Sequence, residues 1–299
     1  MNQLLYTSTQ SMKNKTVLIT GGNTGIGYET AKDLLQRGAR VIIACRNIGR
    51  GHQALTKLHS QTGCKREDIR LMECDLSSFD SVRKFAKLYN EKEDRLDVLI
   101  CNAGQVYTPT IYTHDGFNDI MQSNYLSHFL LTQLLLDKLK KCRPSRIINV
   151  SSSAHQSTEG ITALTNFKTD AMWGAYCPSK ASQILSSYKL KHDLYDDGID
   201  VFALNPGWVW TSFQDPLHSA VGTWFFLILF PLLHLTKFIF AKTPYIGART
   251  IVYCAVEHSL EHSKHLYFEN CAPSKPTLLC TDQKSAEQLW KLSCEAVGL

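Results

Sequence analysis

Short, unbroken apolar runs alternate along this chain with longer stretches in which apolar residues recur at about every third or fourth position. Thr16–Thr20 (TVLIT), Arg40–Ala44 (RVIIA), Ile69–Glu73, Asp97–Cys101 (DVLIC), Arg146–Val150 (RIINV) and Asp200–Leu204 (DVFAL) are such runs, rich in β-branched residues. Each reads as a strand buried on both faces. A helix is expected from about Gly25 to near Gly38, with Ile26, Thr30, Leu34 and Leu35 on one face. Amphipathic stretches at about 48–60, 78–92, 113–140 and 175–195 separate the later strands. Strands alternating with helices imply right-handed βαβ crossovers. The expected fold is therefore α/β, a Rossmann-type doubly wound parallel sheet with helices on both faces. Leu266–Phe268 is the candidate last strand. With no repeat, low-complexity linker or composition break, residues 1–299 are expected to form one domain.

One segment departs from the alternation. Trp224–Ala241 reads WFFLILFPLLHLTKFIFA, inside an apolar region at about 213–242. A spanning helix needs about 20 uninterrupted apolar residues. Here Pro231, His234 and Lys237 interrupt the run, so a membrane-surface helix or a lid over a greasy pocket is preferred to a span. A helix of the domain core is the plain alternative. The first dozen residues, MNQLLYTSTQSM, have neither the charged start and apolar stretch of a signal peptide nor the length of a span.

Composition narrows the classes. Hydrophobic residues make up 44% and charged residues 20% of the 299 positions, a globular balance. The formal charge of +5 is scattered, with no Lys/Arg-rich run, which argues against nucleic acid as a partner. None of the ten cysteines falls in a CxxC pair or a Cys/His cluster of zinc-site spacing, so no metal is expected and the thiols read as reduced core residues.

The chemistry-bearing residues sit where strands end. Gly21-Gly22-Asn23-Thr24-Gly25-Ile26-Gly27 follows the first strand and opens the first helix. Glycines there let backbone approach a pyrophosphate, and a helix N-terminus favours its charge. A site for NAD usually carries an acidic residue about 20 residues further on, to hold the ribose 2′-hydroxyl. Cys45 stands there and Arg46 follows, with Arg50 as a second cation. A guanidinium pairs with a 2′-phosphate that a carboxylate would repel, so NADP(H) is expected rather than NAD(H). The plain alternative for Arg46 is a solvated loop cation. Asp75-Leu76 follows the third strand; Asp75 either accepts from an adenine amino group or caps the helix starting near Ser77. Asn102-Ala103-Gly104 follows the fourth strand, small enough to lie against a ribose, and the Asn102 side chain has the reach to tie neighbouring strands together. Ser151, Ser152 and Ser153 follow the fifth. Tyr176 and Lys180 lie one helical turn apart on one face.

In this order the motifs TGGNTGIG, CNAG, Asn124 in NYLSHF, NVSSS, YCPSK and NPGWVWT resemble the short-chain dehydrogenase/reductase family over about residues 15–212. The ACRN and CDLSS stretches, Thr243–Glu257 and the His265–Cys271 segment resemble its retinol dehydrogenase-like branch. The resemblance implies an enzyme that moves a hydride between a nicotinamide and a carbonyl carbon. Tyr176 would be the general acid/base and Lys180 would stabilise its phenolate and hold the nicotinamide ribose. Ser152 would bond the substrate oxygen, and Asn124 would steady Lys180 through a water. Pro206, Gly207, Val209 and Thr211 would run along the nicotinamide. Where the branch often has His before this Pro-Gly, the chain has Asn205.

The branch implies a lipophilic aldehyde or ketone as substrate, retinal/retinol-like, for which Trp208, Trp210, Phe213 and the 224–241 segment suit a greasy pocket. A steroid or lipid ketone fits the same features. Work at the cytosolic face of endoplasmic reticulum or lipid-droplet membranes, peripheral contact through Trp224–Ala241, and pairing of two copies through the helices around 115–140 and 175–195 complete these expectations. The other classes in view are a non-catalytic NADP(H)-binding sensor or scaffold on the same fold, and a membrane-surface interaction protein.

Overall fold

A computed structural model describes residues 8–106, 112–170, 172–209 and 242–299. Thr211 and the Trp224–Ala241 segment lie outside the described residues. Eight strands form one sheet: β1 (Thr16–Thr20), β2 (Arg40–Cys45), β3 (Ile69–Glu73), β4 (Val98–Cys101), β5 (Ser145–Val150), β6 (Ile199–Asn205), β7 (Tyr267–Glu269) and β8 (Ala272–Ser274). Their spatial order is β3-β2-β1-β4-β5-β6-β7-β8, parallel except for the β7–β8 pair. The short antiparallel β8 has no signal in the apolar pattern; Asn270 and Cys271, both at positive φ, make the tight turn that folds it back.

The unbroken apolar runs have a physical cause. Alternate residues of each strand feed two separate cores. Leu18, Ile42, Leu99, Ile147 and Val201 face α3 (Phe79–Lys92), α5 (Ser127–Lys141) and α7 (Met172–Asp193), a core that Leu164 of the short α6 (Gly160–Thr165) joins. Val17, Ile19, Val41, Ile43, Val98, Ile100, Ile148 and Phe202 face α1 (Gly25–Gln36) and the helix α8 (Pro244–Val256). With both faces covered, the strand centres lack a regular apolar/polar alternation, and polar residues such as Arg146, Asn149 and Asp200 fall mostly towards strand ends. The helix α2 (Ile48–Thr62) begins at Asn47, whose side chain accepts from the Arg50 amide.

Two helical features go beyond the pattern. The 113–140 stretch becomes a three-residue α4 (Asp119–Met121), a π-helical turn at Gln122–Leu126, and then α5. A last helix, α9 (Gln283–Val297), packs on α5 and α7. Its Trp290 meets Phe129 edge-on at 4.8 Å between ring centroids, and its Ser293 hydroxyl lies 2.7 Å from the buried Tyr125 hydroxyl. Among the described residues, no helix is long and apolar enough to cross a membrane.

Candidate active site

The site lies along the carboxyl ends of β1, β4, β5 and β6, where chain order reverses across the sheet and open α/β folds bind ligands. Gly21 leaves β1 at φ 68°, in the left-handed region that glycine favours. A Cβ on Gly27 would sit 2.5 Å from both the Gly21 carbonyl oxygen and the Asn102 Nδ2. Three segments thus meet with no room for a methyl group. Asn102 closes the meeting by donating its Nδ2 to the Thr20 carbonyl at 2.9 Å, tying the ends of β4 and β1 together. Thr24 stands at the N-cap of α1 but makes no side-chain cap bond, and the first turn carries no acidic residue. The amides there keep the dipole and donor set that suit a phosphate.

A cavity of about 510 Å³ opens beside this loop, lined by Asn23, Thr24, Gly25, Tyr28, Arg50 and Lys57 among others. Arg50 reaches it from the first turn of α2. Arg46 is 67% exposed and stands 3.9 Å from Asp75. Asp75 neither caps α3, whose N-cap is Ser78, nor points away from the chain: its Oδ1 accepts from the Ser77 amide and hydroxyl at 3.0 and 2.7 Å. Leu76 gives its carbonyl to the Ser127 hydroxyl at 2.6 Å.

On the far side, Tyr176, Ser152 and Lys180 come together. The Tyr176 phenol is hydrogen-bonded to the Ser152 side chain, and burial pushes its pKa up while that bond pulls it partly back. The expected stabilisation of a phenolate by Lys180 does not govern in the protein alone. Lys180 Nζ is 5.9 Å from the Tyr176 ring centroid and donates instead to the Val150 carbonyl at 2.9 Å and the Gln183 Oε1 at 3.2 Å. Desolvation outweighs attraction, so the phenol keeps its proton at neutral pH. The same burial lowers the Lys180 pKa to about 7. Two of the serines after β5 are placed differently relative to Tyr176. Ser151 is buried and donates to the Lys180 carbonyl at 2.7 Å, whereas Ser152, which also caps a short 3₁₀ turn, faces Tyr176.

Asn124 sits in the π-helical turn. Its side chain is bonded to neighbouring segments: Nδ2 donates to the Gln105 carbonyl and to Ser179 Oγ, and Oδ1 accepts from the Gln105 amide. Its main-chain carbonyl accepts from Gln183 Nε2 at 2.8 Å and faces His128 Nδ1 at 2.9 Å. Gly104 packs under this group, where a Cβ would lie 3.3 Å from Asn124 Oδ1 and 3.4 Å from Lys180 Nζ. At the end of β6, Asn205 folds back to accept from the Gly207 amide and donates to Glu269 Oε1. Val209 packs against Gly247 at the start of α8.

Thr20 and His128, inside the TGGNTGIG and NYLSHF motifs but given no role there, and Gln183, outside the motifs, belong to this network. Polar residues at Asn124+4 and Lys180+3, on helices that pack into the core, are the signals that mark two of them; both are buried. The tautomer of His128 follows from its partners. Nδ1 faces a carbonyl, so it carries the hydrogen; Nε2 then accepts from Thr20 Oγ1 at 2.9 Å, while Thr20 Oγ1 accepts from the amides of Asn102 and Ala103. Burial lowers the His128 pKa from 6.5 to about 4. Protons are then taken up more readily by the unfolded chain between those values, so stability is full above about pH 6.5 and falls as pH drops through 4, by about 3 kcal/mol. Urea unfolding of the parent and of His128→Gln at pH 7 and pH 4.5 checks this: the variant should lose less stability on acidification. An equal loss in both would sink the assignment to His128.

A family model described as short chain dehydrogenase matches residues 15–221. The chain belongs to the short-chain dehydrogenase family. Retinol dehydrogenase 11 of Homo sapiens is 38% identical over 296 residues, covering 98% of this chain and 89% of that protein. Among solved structures, a protein from Mycobacterium paratuberculosis superposes with TM-score 0.72 at 28% identity, covering 97% of this chain and 95% of the other. The RhlG/NADP active-site complex of Pseudomonas aeruginosa gives TM-score 0.65 at 28% identity, with 87% and 96% coverage. This short-chain dehydrogenase is an oxidoreductase of alcohol and carbonyl groups that uses a nicotinamide cofactor. Its glycine cradle, uncapped helix start and flanking arginines fit such a group.

Proposed function

We propose that the protein is an NADP(H)-dependent reductase of lipophilic aldehydes or ketones, with a retinal-like substrate. The observation that carries this reading is the hydrogen-bonded Ser152–Tyr176 pair beside the buried Lys180. When bound, the nicotinamide supplies the hydride. Tyr176 holds the proton that the substrate oxygen must receive, and its raised pKa keeps that proton in place at neutral pH. Ser152 donates to the same oxygen as charge grows on it. Lys180 brings a cation to within reach of the phenolate that remains.

NADP(H) is favoured because no carboxylate ends β2, where Cys45 is followed by Arg46, and because Arg50 lines the cavity beside Asn23 and Thr24. Arg50 carries more of this preference than Arg46, whose charge is shared with Asp75. The name of the human relative, retinol dehydrogenase 11, supports the retinal-like substrate. An apolar substrate also fits work at a membrane surface through the 224–241 segment, which co-sedimentation with anionic lipid vesicles would detect and whose absence would remove that part of the reading.

Purified protein tested with NADPH and NADH against all-trans-retinal, nonanal, a steroid ketone and a small diketone decides the function. Turnover of retinal or nonanal with NADPH is expected. Arg50→Ala should weaken NADPH binding about 10- to 100-fold, the loss of a charge-assisted contact, and leave NADH binding near the parent value. NADH-only turnover would overturn the cofactor assignment, and turnover of the steroid ketone alone would overturn the substrate class.

A further inference from the structure

The link between Lys180 and the Asn124 carbonyl is a side chain. Gln183 lies three residues after Lys180 on α7, with 1% of its surface exposed. Its amide orientation is fixed by chemistry. One end faces a carbonyl oxygen, which takes only a donor, so that end is Nε2; the other faces an ammonium, which takes only an acceptor, so that end is Oε1. The Asn124 carbonyl is held from its other side by His128 Nδ1–H, and His128 is held by Thr20. Gln183 further anchors its own helix by accepting at its main-chain oxygen from the Ser187 hydroxyl at 2.6 Å. The chain Thr20–His128–Asn124–Gln183–Lys180 therefore runs without a gap from the end of β1 to the lysine.

We propose that Gln183 is a positioning residue for Lys180: its amide clamps the ammonium against the Val150 carbonyl and ties it to the π-helical turn, leaving one N–H of Lys180 for the reacting side of the site. The proposal deepens the reductase reading above and rests on it for its catalytic meaning. Its physical content stands alone. An ammonium has three donors, and two are committed here to neutral oxygens in a buried place. Those two acceptors are what keep a buried cation tolerable. Removing one makes the charged form harder to hold; replacing it with a carboxylate makes it easier. The titratable groups facing Lys180 are Tyr176 on its own helix and His128 from α5, both neutral near pH 7. Val150, Asn124 and Gly104, from the other segments packed against it, bring no charge.

The experiment follows the Lys180 side chain by carbon NMR of lysine labelled at the ε position, in full-length protein with neither cofactor nor substrate. The signal is identified by its disappearance in Lys180→Met. Gln183→Met, close in length but lacking both amide ends, should move the titration midpoint down by about half a unit or more, and Gln183→Glu should move it up by about one unit or more. If Gln183→Met does not fold, Gln183→Glu alone decides by the direction of its shift. Midpoints unchanged in the folded variants, or moved in the same direction by both, overturn the proposal. When the parent turns over substrate, the Lys180-governed limb of the kcat pH profile should move in the same two directions; a uniform loss of kcat with an unmoved profile also overturns it. Shifted midpoints in a protein with no NADPH turnover would sink the reductase reading and leave the clamp standing.

Discussion

Tyr176→Phe is expected to lower kcat about 1000-fold while leaving NADPH affinity within about twofold of the parent. The substitution removes one oxygen and nothing else of consequence. The ring is 9% exposed and packs in the core shared by α5 and α7, and phenylalanine fills the same space. Lys180 keeps its bonds to Val150 and Gln183, since neither involves the phenol. What disappears is the proton held at the substrate oxygen and the hydrogen bond to Ser152. Loss of that bond should cost about 1 kcal/mol of stability, too little to unfold the chain. Steady-state NADPH oxidation with the best carbonyl of the panel, paired with fluorescence titration of NADPH, reads both quantities. A variant keeping more than about a tenth of parental kcat would show that another group supplies the proton. Equal loss of binding and turnover would show that Tyr176 serves the architecture of the site rather than its chemistry.

Gly27→Ala should act on cofactor binding rather than on proton transfer. The new methyl would lie 2.5 Å from the Gly21 carbonyl oxygen and 2.5 Å from Asn102 Nδ2, well inside contact distance. Neither neighbour gives way cheaply. Gly21 is backbone leaving β1, and Asn102 Nδ2 is the donor that ties β4 to β1. Relief of the clash costs about 1–3 kcal/mol of overpacking strain and shifts the loop that would lie along the pyrophosphate. Binding of NADPH is expected to weaken more than 100-fold, with the melting temperature down by several degrees, about what such a loss produces in a domain of this size. Calorimetric titration with NADPH and thermal unfolding by circular dichroism measure the two effects. Parental affinity in Gly27→Ala would mean that the dinucleotide does not pass over this turn.

The two variants fail at different depths of the structure, and that difference explains what could be read early. The glycine loop and the Tyr176–Lys180 pair are local. Each is a run of neighbouring residues whose geometry follows from a strand-to-helix turn or a single turn of helix. The strands were legible for a related reason: burial on both faces leaves an apolar run that needs no partner to be recognised. Boundaries at α1, β3 and β6 accordingly fall within a residue or two of the pattern. Strand β8 and helix α9 were less visible. The first is three residues long, and the second depends on packing against α5 and α7.

The roles within the site divide along the same line. Chain order and residue type were enough to expect a doubly wound sheet, a dinucleotide cradle after β1, and Tyr176 and Lys180 on one face of α7, because each leaves a local pattern; their acid/base role came from the resemblance to the family. Which serine faces Tyr176, whether Arg46 or Arg50 lines the cavity, and what holds Lys180 were open until distant segments met. Gln183 and Asn124 are 59 residues apart, and Thr20 and His128 are 108 apart, yet each pair shares a hydrogen bond. Such contacts have no trace in local periodicity, since they exist only when the sheet brings the ends of β1, β4 and β5 side by side. The expected support of the Tyr176 phenolate by Lys180 met the same limit. Sequence placed the two groups on one helical face, but burial, which only the packed protein possesses, raised the phenol and lowered the lysine.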